Sequence, residues 1–320
     1  MEQFHLAADI SNPSYLALSA SGKNLYVVNE LNEFDGHTAG AVTSFAVEKT
    51  SLKMLNQQQS GGKSPCHIAL SQNSSGNAVF AVVSNYSSGI ITVYPICDDG
   101  TLSEVSQEIQ LEGSGPDKNR QLSSHAHSFF FAPAYSFGLT CDLGADRIMP
   151  YNIENNTLVS KPYFSSAPGS GPRHLTFSPD GNFVYCLNEL NSTVDVLSCK
   201  AGILQKMQTI SSLPENNTHI STASAIKLSP NARFLYTSNR GYDSIAIFSV
   251  NNSGLLKLEA VTPTDGKTPR DFAIDPSGKF LLVCNQNSDN LVVFEIDQKN
   301  GTLLKKWEYP VPSGVCVVIK

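Results

Sequence analysis

The chain has 320 residues, 41% of them hydrophobic and only 16% charged, with a formal net charge of −6. An acidic balance argues against nucleic acid or an anionic membrane as partner, and apolar runs of about six residues are too short to span a bilayer. The seven cysteines are odd in number and form no CxxC pair, which points to free thiols rather than a disulfide or zinc framework.

The N-terminus, MEQFHLAADISNPSY, lacks the basic start and apolar core of a signal peptide. We therefore expect a cytoplasmic protein. From there a unit of about fifty residues recurs. A first short apolar run (SYLAL, CHIAL, SFFF, HLTF, AIKL, DFAI) leads into a turn (SASGKN, SQNSSGN, APAYSF, SPDGNF, SPNARF, DPSGKF). The next run closes on a polar residue: Asn29, Asn85, Asp142, Asn188, Asn239 and Asn285, at intervals between 46 and 57. A third run follows (AVTSFAV, IITVYPI, RIMPYNI, TVDVLSC, SIAIFSV, NLVVFEI), then a weaker Leu-rich fourth (SLKML, TLSEV, TLVSK, ILQKM, LLKLE, TLLKKW). Four short strands per repeat, bounded by Gly, Asn, Asp and Ser, are the pattern of propeller blades. A sandwich does not repeat its turn chemistry at this period, and a β-helix repeats at a shorter one.

The C-terminal PVPSGVCVVIK reads as a seventh first strand, and EQFHLAADISNPSYL as a fourth strand leading into a first. The expectation is thus an all-β, seven-bladed β-propeller, one domain over 1–320. Its terminal blade is shared by the two ends and incomplete at the N-terminus.

In a blade, residues just before the first strand and just after the second emerge on one face, where functional loops collect. Before the first strand stand His67, His125 with His127, Arg173 with His174, and Arg270 with Asp271. After the second stand Glu30, Asn85, Asp142 with Asp146, Glu189, Arg240 and Gln286. Three of the six arginines (173, 240 and 270) fall on this rim, a cationic group suited to carboxylate or phosphate. Each residue also has a structural reading. His125 and His127, two apart on a strand, share a face and could hold a metal, although no Asp, Glu or Cys has matching spacing. Glu30 and Glu189 could pair with arginines of neighbouring blades, Asp142 and Asp146 could brace turns, and Arg240 could hold blades together. Asn85 and Gln286 could satisfy backbone groups.

The segments GGKSPCHIAL, GSGPDKNRQLSSHAHS, GSGPRHLTFSPDG, LNELNSTV, SNRGYDSIAIF and GKTPRDFAIDPSGKFLLVCNQNSDNLVVF resemble the lactonase family of seven-bladed propellers, across essentially the whole chain. The best-known members of that family are bacterial 6-phosphogluconolactonases, and fungal carboxymuconate-lactonizing enzymes are distant relatives. The resemblance implies hydrolysis of 6-phospho-D-glucono-1,5-lactone in the pentose phosphate pathway, with no metal or other cofactor. It implies a small phosphorylated sugar lactone as partner, and a monomer or weak homo-oligomer. Family members carry an additional LYxGTYT-like first segment that this sequence lacks. Residues proposed as catalytic in the muconate branch match His127, Arg173, Glu189 and Arg240. On that basis Glu189 or His127 is the expected general base, and Arg173 the oxyanion stabiliser. Arg240 is expected to hold the phosphate with Arg270 and His174, and His125, Glu30 and Gln286 to line the substrate site. No GxSxG elbow is present, which disfavours an acyl-enzyme. Two other readings stay open: another sugar-lactone or muconate-type enzyme, and a non-catalytic propeller that binds proteins.

Overall fold

The computed structural model describes residues 10–133 and 136–320. They fold as antiparallel meanders of four strands, each paired with the next in sequence; one of the six sheets carries a further two-residue strand off that path. The chain divides into two compact units, 1–163 with Lys320, and 164–319. Unit 1 holds three meanders, whose innermost strands are Pro13–Leu18, Pro65–Gln72 and Ala126–Phe131. Unit 2 holds three more, with innermost strands Pro172–Phe177, Thr222–Leu228 and Pro269–Ile274. The six sheets are the blades of a β-propeller fold.

The expectation of a seventh blade built from both ends is not met among the described residues. Residues 311–320 contain no strand. Pro310 and Pro312 lack the N–H that a ladder needs, and Ser313 takes a left-handed φ of 46°. Val311 and Val317 instead pack on Cys284, Leu291 and Val293 of the sixth sheet. The N-terminal half of that expectation, and part of the APAYSF turn, lie outside the described residues. The second repeat also differs. Its outer strand is Gln107–Gln110, beyond the TLSEV segment, because Leu102 bridges Ile96 and is buried in the core between the first two sheets.

The recurring polar residue at the end of the second strand is a fastener in several sheets, although Asn188 instead donates to Thr193 and Asp195 of its own sheet. Asn85 donates its amide to the Ser60 carbonyl at 2.9 Å, Asn239 to Ser212 at 2.9 Å and Asn285 to Thr264 at 3.2 Å. Each acceptor lies in the connection arriving from the preceding sheet. The glycine that follows packs directly on the asparagine: a Cβ on Gly62 would meet Asn85 Cβ at 2.8 Å, and one on Gly266 would meet Asn285 Nδ2 at 2.3 Å. A second fastener repeats at mid-strand. Tyr26 and Tyr236, fully buried, donate to the carbonyls of Gly100 and Gly301 in a turn of the following sheet. A buried phenol needs such an acceptor.

Candidate active site

The innermost strands are bulged. Pairing slips between Pro172 and His174, between Pro269 and Asp271, between Pro65 and His67, and between Pro13 and Tyr15. The proline cannot donate to the ladder, so it stands first in the strand and the next residue is left over. The residues left over are Arg173, Arg270, Cys66 and Ser14. In the third sheet Ala126 and Ser128 are the paired residues, and His127 takes the bulged position. A bulge re-aims its side chain, here toward the next sheet of the same unit. Ser14 Oγ donates to Pro65 O at 3.3 Å and Cys66 Sγ to His127 O at 3.2 Å. Arg173 Nη1 reaches Ser224 O, and Ser224 Oγ donates to Arg270 O at 2.6 Å.

In unit 2 the bulge delivers Arg173 to a buried ion cluster. Arg173 Nε lies 2.8 Å from Glu189 Oε2, and Arg240 Nη2, arriving from the fifth sheet, lies 3.0 Å from the same oxygen. The side chains of Arg173 and Glu189 are each only 4% exposed, and that of Arg240 17%. Arg240 Nη2 also donates to Ala223 O at 3.2 Å. The Glu189 backbone is held on both sides, its N–H to Gly171 O at 2.7 Å and its carbonyl to Ala223 N at 3.0 Å. Arg173 Nη1 stands 3.4 Å and 3.3 Å from the two ring nitrogens of His174. Near-equal distances to both nitrogens place the guanidinium over the imidazole face, and that arrangement is favourable with a neutral ring. Two arginines thus share one carboxylate oxygen in a largely buried recess. Guanidinium groups held in this way are suited to stabilise a developing oxyanion.

In unit 1 the cluster is aromatic. His125 stacks flat on Tyr86, with centroids 4.3 Å apart and planes 5° from parallel; the His127 ring meets Tyr86 edge-on at 5.5 Å. His125 Nδ1 is 2.9 Å from the Tyr86 carbonyl. A carbonyl only accepts, so Nδ1 carries the proton. His127 is buried, with Cys66 Sγ 4.0 Å from its Nδ1. Asp142 accepts from Ser124 Oγ and from the His125 N–H, each at 2.9 Å. Its burial pushes the carboxyl above the ordinary carboxylate range, against those hydrogen bonds. Asp146 accepts from Gln121 Nε2 at 2.8 Å. Both aspartates therefore brace turns.

The remaining residues singled out from sequence are placed separately. Arg270 takes the bulged position of the sixth sheet and is half-buried, with its carbonyl on Ser224. Gln286 opens a 3-10 turn and donates its N–H to Thr268 O at 3.0 Å. Glu30 is half-buried; its N–H donates to Asn12 O at 2.9 Å, and its carbonyl accepts from the Asn12 side-chain amide at 2.6 Å. Among the described residues no group of three His, Cys, Asp or Glu gathers to hold a metal. Sequence reading passed over Tyr86. It named Asn85, the fastener, instead of the residue one place on, which is the position that Glu189 and Arg240 occupy in their own repeats.

A family model described as a lactonase with a seven-bladed β-propeller matches residues 1–319. The chain belongs to the lactonase family. This lactonase is 36% identical over 318 residues to a 6-phosphogluconolactonase of Bacillus subtilis, covering 98% of the chain and 88% of that relative. It is also 36% identical over 276 residues to a 6-phosphogluconolactonase of Formosa agariphila, covering 83% and 76%. Among solved structures it is similar to a periplasmic gluconolactonase of Pseudomonas aeruginosa, with a TM-score of 0.90 and 34% identity over 98% of this chain and 89% of that one. No helix among the described residues is long and apolar enough to cross a membrane.

Proposed function

We propose that this lactonase hydrolyses 6-phospho-D-glucono-1,5-lactone to 6-phosphogluconate, as one propeller domain over 1–320. The buried Arg173–Glu189–Arg240 cluster carries this reading, together with the identity to two relatives of that name. Water adds to the lactone carbonyl, a base takes its proton, and negative charge gathers on the former carbonyl oxygen. The acyl–oxygen bond of the ring then breaks, and the departing alkoxide takes up a proton. Arg173 and Arg240 are the proposed donors to the oxyanion. Glu189 is the residue that orients them, since its Oε2 already accepts from both. This shifts the role of general base to His127, whose imidazole chemistry suits it. His174 is assigned to hold Arg173 from its ring face, and His125, Arg270, Glu30 and Gln286 to line the substrate site. Seven free cysteines, five of them buried, support a cytoplasmic location for a monomer or weak homo-oligomer.

The test is a panel of freshly prepared lactones, with the spontaneous rate subtracted. 6-Phosphogluconolactone should be hydrolysed with a higher kcat/KM than plain glucono-1,5-lactone or a muconate-type lactone. Preference for either of the others would replace the substrate, and no acceleration of any would leave a binding module.

A further inference from the structure

Within unit 2, the connection from the fourth to the fifth sheet runs over residues 212–221, whereas that from the fifth to the sixth needs only 264–268. The longer one is not slack. Ser212 Oγ lies 2.9 Å from Ser192 O and 2.7 Å from Asn239 Oδ1, and Ser192 Oγ donates to Ser221 O at 3.3 Å. Asn217 Oδ1 accepts from the His219 N–H at 3.1 Å, while its Nδ2 donates to the His219 carbonyl at 2.9 Å. One asparagine thus clamps the His219 backbone on both sides, as turn asparagines do.

The segment ends against Arg240. Ser221 Oγ donates to Arg240 O at 3.2 Å, and Thr222 is the strand partner of Arg240. Gly241 follows with a left-handed φ of 92°, and a Cβ there would stand 2.5 Å from Ile220 O. Asp243 Oδ1 fixes the next turn, accepting from Gly241 N at 3.1 Å and from Thr268 N at 2.8 Å. Two preorganised segments therefore meet at the end of the fifth sheet from which Arg240 reaches Glu189.

The rings they carry touch each other. His219 meets Tyr242 edge-on, with centroids 5.7 Å apart and planes at 65°. His219 is exposed, Tyr242 half-buried, and the Ile220 side chain between them in sequence is 92% exposed. Among the described residues, neither ring nitrogen of His219 nor the Tyr242 hydroxyl has a hydrogen-bond partner. An imidazole and a phenol each both donate and accept, and each adds apolar ring surface. That mixture matches a sugar, whose hydroxyls alternate with C–H bonds. We propose that His219 and Tyr242, walled by Ile220, form the subsite for the hydroxylated carbons of the lactone ring, and so select a sugar lactone over a plain one. This deepens the lactonase reading above and rests on it.

His219→Ala and Tyr242→Phe test this, the second keeping the ring contact while removing the hydroxyl. Steady-state hydrolysis is compared for 6-phosphogluconolactone and for δ-valerolactone, which has the same ring without hydroxyls. Each variant should raise KM for the sugar lactone about three- to tenfold and leave its kcat within about twofold of the parent. Neither should change KM for δ-valerolactone, so the preference for the sugar lactone narrows. An unchanged KM for the sugar lactone in both variants overturns the proposal. An equal loss on δ-valerolactone also overturns it, since that would mark a purely structural role. If the intact protein hydrolyses no lactone, the lactonase reading falls, and calorimetry with gluconate decides the subsite separately. Gluconate binding about three- to tenfold weaker in His219→Ala would support the subsite; unchanged binding, or none by the intact protein, would overturn it.

Discussion

Glu189 takes two guanidinium groups on one oxygen, and this decides what its replacement should do. Arg173→Ala removes one oxyanion donor and should lower kcat about 10²- to 10³-fold, measured by steady-state hydrolysis. The cysteines make a second residue-scale test. Burial, with a smaller push from Asp271, raises the Cys284 thiol to about 12, while Cys97 is exposed. The thiolate is the nucleophile. Iodoacetamide at neutral pH should therefore label Cys97 and spare Cys284 in the folded protein, as read by peptide mass spectrometry. Rapid labelling of Cys284 would contradict its placement. Asp142 supplies a pH test. Its native pKa is raised, so between the ordinary carboxylate range and that higher value the folded protein holds a proton that the unfolded chain has lost. Stability then falls as pH rises through this window, and the full cost remains above it. Asp142→Asn removes the titration. The melting temperature of the variant relative to the parent should be more favourable at pH 8 than at pH 4.

At the scale of strands, the asparagine fasteners and the bulges explain which parts were legible. Alternating apolar runs and turn residues placed five of the six outer strands and all the inner ones, because burial on a pleated face leaves a period of two. The polar residue closing each second strand, Asp142 or an asparagine, was visible as a repeat, but its job was not. Only the structure shows the amides of Asn85, Asn239 and Asn285 bonding the connection from the previous sheet. Asn239→Ala should cost about 1–3 kcal/mol by stranding the Ser212 carbonyl, measured by denaturant unfolding. Gly266→Ala should also destabilise, since its Cβ would strike Asn285. The bulge had a sequence signal that went unread: Pro-Ser-Tyr, Pro-Cys-His, Pro-Arg-His and Pro-Arg-Asp open four of the inner strands. That motif singles out Arg173 and Arg270 directly. Tyr86 was hidden because its importance lies in a ring stack with His125 from the neighbouring sheet, which no local pattern encodes.

For the molecule as a whole, the class was legible from composition together with the repeat: few charges, many turn residues and a period of about fifty residues. It did not fix the count, since the strand-like spelling of the C-terminal segment is overridden by its prolines and by Ser313. All seven cysteines are free, so thermal unfolding should be the same with and without a reductant, and a lower midpoint in reductant would contradict that assignment. The central claim is that lactone hydrolysis depends on the Glu189-held arginine pair. Its most direct test is kcat/KM for 6-phosphogluconolactone in Glu189→Gln, with folding confirmed by circular dichroism. Neutralising the shared acceptor should release both arginines and lower kcat/KM at least about a hundredfold; a folded Glu189→Gln protein with the parent's kcat/KM would contradict the claim.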